Sequence, residues 1–154
     1  MRTRPSGGKL LTAQRETRME NRMALRWYGV VIDCRDVKKQ ARWWAEALDW
    51  KLVFESDEEC GVDPPWADED AGDAPWDRTG PGLVFVPVPE GKAIKNRLHI
   101  DLAPHTSQDR AAEIARLEKL GAKRVDVGQA ADVTWTVMAD PEGNEFCVLS
   151  SRDD

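Results

Sequence analysis

A chain of 154 residues has room for one domain, or for two small halves sharing a core, and a 41% hydrophobic content with seven tryptophans is enough to fill it. No run of about 18 apolar residues is present to cross a membrane, and three cysteines without CxxC spacing (Cys34, Cys60, Cys147) fit a reduced, cytoplasmic setting. The formal charge of −6 is split: residues 1–26 carry seven basic and two acidic side chains, +5, which leaves −11 on residues 27–154. A body that acidic repels phosphate backbones, so no nucleic-acid partner is expected unless the basic tail alone binds one, and such tails are more often solvated leaders.

Residues 1–24 read as a flexible basic leader, with Gly7-Gly8, no apolar face and at most a frayed helix from Leu11 to Met23. Met23 directly precedes the first strand, so residues 1–22 are expected to lie outside the natural product, and no apolar stretch makes them a secretory signal. Trp27 to Cys34 is a β-branched strand, with Val30, Ile32 and Cys34 on one face and Gly29, Val31 and Asp33 on the other. Asp36 is placed to cap a helix whose stripe is Val37, Ala41, Trp44, Ala45 and Leu48. Trp43 falls off that stripe and is expected at a sheet edge or a partner subunit. Trp50 to Glu55 is a second strand.

Residues 55–77 then hold ten acidic side chains and no Lys or Arg, broken by Pro64, Pro65 and Pro75. This is either a solvated loop or a lid, since Trp66 and Trp76 are costly to expose. Gly82 to Val88 is a strand, with Pro87 marking an edge or bulge. Arg97 to Ala103 opens a new cycle. Thr106 or Ser107 is expected to cap a helix carrying Ala111, Ile114, Ala115 and Leu117, closed by Gly121. Lys123 to Val127 is a strand. A final hairpin follows: Val133 to Ala139 alternates, Asp140-Pro141-Glu142-Gly143-Asn144 supplies the turn, and Glu145 to Leu149 returns.

Strand, helix, strand and further strands thus occur twice, with Val30–Cys34 and Leu98–Leu102 as counterparts. The third strand of the first copy is expected within the acidic stretch, without a definite position. Carried by VVIDCRDV, Trp43-Trp44, Leu48-Asp49-Trp50, NRLHIDL at Asn96–Leu102, Leu120-Gly121-Ala122 and DPEGNEFCVL at Asp140–Leu149, the sequence resembles the vicinal oxygen chelate (VOC) superfamily, in its bacterial-type glyoxalase-like, bleomycin-resistance and dioxygenase branch. The resemblance covers most of residues 27–151 in order. It implies an α+β fold of two βαβββ modules forming a half-open curved sheet, usually as a homodimer. The glyoxalase-like domain would span 25–151, with module one at about 27–90 and module two at about 95–151. Asp49 departs from the family's glycine, but Asp tolerates the left-handed conformation.

Active relatives hold a divalent metal through His, Gln or Glu at four strand positions. The resemblance places these at Gly29, near Leu83, and at His99 and Cys147. Two of the four offer no donor, which implies a degenerate site and no cofactor. If a divalent metal does bind, His99, Glu145 and Cys147 are its expected ligands. Strand parity puts Asp33, His99, Asp101 and Glu145 in the cleft with Trp135 and Cys147 nearby, so His99, Asp101 and Glu145 are the candidate acid–base residues. The opposing reading is that His99 and Asp101 are structural polar residues satisfying each other. Asp33, Arg97, Trp135, Cys147, Trp66 and Trp76 are the candidate ligand-binding residues. Three functions follow: a cleft binding a small, partly aromatic molecule; a lyase, isomerase or dioxygenase-like enzyme using His99 with a carboxylate or metal; or an interaction module docking through its acidic loop.

Overall fold

The computed structural model describes residue 25 and residues 27–67 and 81–153. The basic leader and residues 68–77 of the expected lid, Trp76 among them, lie outside the described residues. In chain order the elements are β1 (Gly29–Cys34), α1 (Val37–Leu48), β2 (Lys51–Glu55), β3 (Cys60–Asp63), β4 (Gly82–Pro87), β5 (Ile100–Leu102), α2 (Arg110–Leu120), β6 (Lys123–Arg124), β7 (Thr136–Ala139) and β8 (Glu145–Val148). They build two four-stranded sheets of identical topology, β1-β4-β3-β2 and β5-β8-β7-β6. In each, the outer first strand runs parallel to the last and the remaining pairs are antiparallel. This is the expected pair of βαβββ modules. The missing third strand lies inside the acidic stretch at Cys60–Asp63, where Cys60 and Val62 face the core between charged neighbours.

Helix α1 starts where Asp36 accepts a hydrogen bond from the Lys39 N–H, and ends at Asp49 in the left-handed conformation, φ 54°. Its buried face is wider than the expected stripe and includes Gln40, Trp43 and Ala47. Trp43 is therefore a core residue of the monomer, not an edge or partner contact. Its indole N–H donates to the Leu120 carbonyl of the other module at 3.0 Å, and its ring meets Trp44 and Phe146. Trp44 packs against Phe146 and donates to Asp140 Oδ2 at 3.1 Å. One continuous core thus joins both modules, with the α1 tryptophans as its centre. Burying such an aromatic contributes about 1.5–3 kcal/mol.

Helix α2 is capped by Asp109, which accepts from the Ala111 N–H, and not by Thr106 or Ser107. Ser107 is engaged with His105 Nδ1 in the preceding turn. Only Ile114 and Leu117 of α2 are fully buried; Ala111 and Ala115 are exposed. Gly121 closes the helix at φ 110°, as expected.

The final hairpin turns as its sequence suggests: Asp140 accepts through its side chain from the Glu142 and Asn144 N–H groups, and Gly143 takes φ 91°. Several strands are shorter than alternation predicts. β6 stops at Arg124 because Gln129 satisfies both the Val127 N–H and the Val125 carbonyl through its side chain. β7 begins at Thr136, so Trp135 lies outside the ladder. β1 begins at Gly29, opposite Gly82, where its partner begins, and Trp27 and Tyr28 stay exposed. Among the described residues no helix is long and apolar enough to cross a membrane.

Candidate functional site

Each sheet turns one face to the core and leaves the other open. On the second sheet the period of two and the register Asp101↔Cys147 and Val137↔Cys147 place His99, Asp101, Val137, Glu145 and Cys147 on the open face. A cavity of about 350 Å³ lies there. Val127, Trp135, Val137 and Leu149 form its apolar walls; Lys95, His99, Asp101, Gln129, Glu145 and Cys147 supply the polar groups. A volume of that size suits one small organic molecule.

At the polar end, His99 Nε2 lies 3.2 Å from Asp101 Oδ1. The Asp101 carboxylate also faces the Cys147 thiol. Burial, and then that carboxylate, push the thiol up to about 11, so Cys147 is a neutral thiol at pH 7 and not a ready nucleophile. His99 and Asp101 are exposed, while Cys147 is buried beneath them.

Glu145 has a different task. It accepts from Lys92 Nζ at 2.8 Å and from the Asn96 N–H at 3.0 Å. Burial raises its carboxyl, but these two donors outweigh that and hold it below the ordinary glutamate value. It therefore fastens the connector between modules, residues 88–99, to the start of β8. Lys95 and His99, both pocket residues, sit on that connector.

The other expected site residues are dispersed. Asp33 is exposed on the open face of the first sheet. Arg97 is exposed and does not line the cavity. Trp66 is exposed and edges onto Trp50, ring centroids 5.9 Å apart, away from the cavity. The acidic turn at residues 55–59 is tied back to α1 through Lys38–Asp57 and Arg42–Glu55 ion pairs. Sequence reasoning missed Lys95 and the Val127–Gln129 segment. Lys95 precedes any strand, and 127–129 was expected to end one.

The fold, the twinned topology and the position of this cavity can now be set beside known proteins. A model of the glyoxalase-like domain matches residues 29–149. The chain belongs to the glyoxalase-like domain family. Solved structures share its fold at low identity. A glyoxalase/bleomycin resistance protein/dioxygenase family enzyme from Burkholderia phytofirmans is 15% identical, with TM-score 0.57 over 83% of this chain and 100% of that one. The fosfomycin resistance protein FosX from Listeria monocytogenes, solved with Mn(II) and sulfate ion, is 10% identical, with TM-score 0.60 over 85% and 92%. A glyoxalase-related enzyme from Fulvimarina pelagi is 18% identical, with TM-score 0.54 over 79% and 86%. No curated protein matches the sequence.

For this glyoxalase-like chain the fit to a metal can be tested on its own donors. Gly29 and Gly82, paired across β1 and β4, present no side chain, and the space a Gly82 side chain would fill is taken by the Asp63 carboxylate. Leu83, next to it, points into the core. The first module therefore gives no His, Gln or Glu at these positions. The second module brings the donor atoms of His99, Asp101 and Cys147 all within 4.8 Å of one another, a group that could hold a metal ion. Asp101, not Glu145, completes the set, because Glu145 is already engaged by Lys92 and Asn96. Nitrogen, oxygen and thiolate sulfur are all established ligand types for a three-ligand site, so the residues present fit a reduced one.

Proposed function

We propose that this glyoxalase-like protein binds a small, partly aromatic molecule in the cavity of its second module, with the four-position metal site of its relatives reduced. Residues 25–151 form the domain concerned. The observation that carries this reading is the cavity itself: one polar end at His99, Asp101 and Cys147, and apolar walls led by Trp135. An apolar enclosure with few convergent polar groups is the usual form of a ligand pocket. Lys95 and His99 would orient a polar substituent, and Trp135 would stack on a ring. FosX, with the same fold, was solved with a small anion and Mn(II). Trp135 is partly exposed and outside any strand, so Trp135→Ala leaves the core intact. Saturable quenching of tryptophan fluorescence by an aromatic library, lost in Trp135→Ala, is the expected result. No quenching by any member, or quenching indifferent to Trp135, would count against it.

The His99–Asp101 contact supports a second reading, an enzyme of the lyase, isomerase or dioxygenase-like type. There Asp101 would orient the His99 ring through Nε2, and His99 would move a proton at Nδ1. A divalent metal, when bound, would supply Lewis-acid polarisation of substrate oxygens. Any turnover found should fall in His99→Ala; unchanged turnover removes this reading.

We also propose a homodimer. The open face of the first sheet exposes Val31 (63%) and Phe54 (44%), apolar area that a second copy would cover. Sedimentation at micromolar concentration should show twice the chain mass, and a monomer would end the proposal.

A further inference from the structure

We propose that His99, Asp101 and Cys147 form a three-donor site selective for a thiophilic divalent cation, zinc or cobalt, carried by the second module alone. This rests on the same cavity as the proposed function, but it does not require the organic ligand to be present.

The strands build the triad. β5 and β8 run parallel with Asp101 opposite Cys147, and His99 lies two residues before Asp101, hence on the same face. Its imidazole is already 3.2 Å from the Asp101 carboxylate. A tetrahedral zinc site spaces its donors by about 3.3–3.6 Å, given bond lengths of roughly 2.0–2.3 Å; the three atoms lie within 4.8 Å of one another. Among the described residues no other group of three His, Cys, Asp or Glu side chains comes together in this way.

Selectivity follows from the sulfur. Carboxylate and carbonyl oxygen sets suit manganese and magnesium, whereas thiolate favours softer cations. Cys147 supplies the one sulfur donor of the three, and that sulfur sets the site's preference toward the soft side. On binding, the Cys147 S–H proton leaves to solvent and the thiolate takes the cation, with no redox step. Three protein ligands would leave a fourth position for solvent or a cavity-bound group, the pattern of a catalytic rather than a structural zinc. Glu145 takes no part because Lys92 and the Asn96 N–H hold both its oxygens.

The test is a cobalt titration of the full chain under reducing, oxygen-free conditions. A thiolate-to-cobalt charge-transfer band is expected, rising to a single equivalent, erased by zinc and resisted by manganese. Cys147→Ser should abolish the band, and Asp101→Asn should weaken affinity by about tenfold or more. Circular dichroism checks that each variant folds. Cys34→Ala and Cys60→Ala serve as controls for the other thiols and should keep the band. The inference is overturned by an absent band in the wild-type chain, by a band surviving in Cys147→Ser, or by manganese competing as well as zinc. Fluorescence quenching by aromatic ligands reads the cavity separately, so failure of either proposal is visible without the other.

Discussion

In the first module the open face of the sheet runs Gly29, Val31 and Asp33 beside Gly82, Val84 and Val86, whereas in the second it carries His99 and Asp101 beside Glu145 and Cys147. Both sheets have the same strand order and the same mix of parallel and antiparallel pairs. Their core faces are alike in kind, with Val62, Leu83 and Phe85 in one and Met138, Phe146 and Val148 in the other. The difference teaches that the fold is specified by one side of each sheet. The other side is free to differ, and in the second module it brings His99, Asp101 and Cys147 together.

The comparison can be broken most severely at the joint. Trp44 touches Trp43 and Phe146 and donates to Asp140, so Trp44→Ala removes packing from both modules and leaves a buried carboxylate short of a donor. A loss of about 3–5 kcal/mol is expected in urea denaturation. If only one module loosened while the other kept its full stability, the halves would be independent, contrary to the shared core.

The first module's open face can be tested at Gly61. A methyl group there would meet the Phe54 ring, which lies across the glycine. Gly61→Ala should cost about 1–3 kcal/mol in thermal melts, with cobalt binding at the second module untouched. An accompanying loss of that binding would show that the two faces communicate.

A smaller effect belongs to Glu142, whose carboxylate accepts from the Arg35 and Asp36 N–H groups ahead of α1. It links the second module's hairpin turn to the first module's helix start. Glu142→Gln should cost about 1 kcal/mol, as loss of a charged group at a helix N-terminus does, measurable as a shift in the denaturation midpoint.

The smallest expected effect separates a fastening from a catalytic role at Glu145. Because its carboxyl is held below the ordinary value of 4.5, its stabilisation is complete above that value and is lost as pH falls through the lower, folded one. Wild type should exceed Glu145→Gln by about 1 kcal/mol or less near neutrality, given solvent screening. The difference should disappear in acid. A gap that persists at low pH would mean that the ion pair with Lys92 is not its source.

Much of this architecture could be read from the chain because periodicity, caps and turn residues act locally. Asp36, Asp49, Gly121 and the Asp140–Asn144 turn each fix a boundary through their own backbone or side chain. Trp43 was misjudged because its burial comes from Leu120 and Phe146, which are remote in sequence. The α2 cap was misplaced because three polar residues compete there and Ser107 is used by His105. At the site, His99, Asp101 and Cys147 were all legible as candidates. Their grouping depended on the parallel register of β5 with β8, which no local pattern encodes. Parity placed Glu145 at the cavity, where it lies, but nothing near it in sequence announces Lys92 as its partner.

The connector held down by Glu145 has an evolutionary consequence. Lys95 and His99 lie on the segment that bridges the two duplicated halves, so its length is tied to the cavity as well as to the spacing of the sheets. Inserting or deleting a single residue between Lys92 and Asn96 would slide new side chains into the cavity while every strand stayed in place. Natural variation there would thus reshape the cavity first and the architecture last.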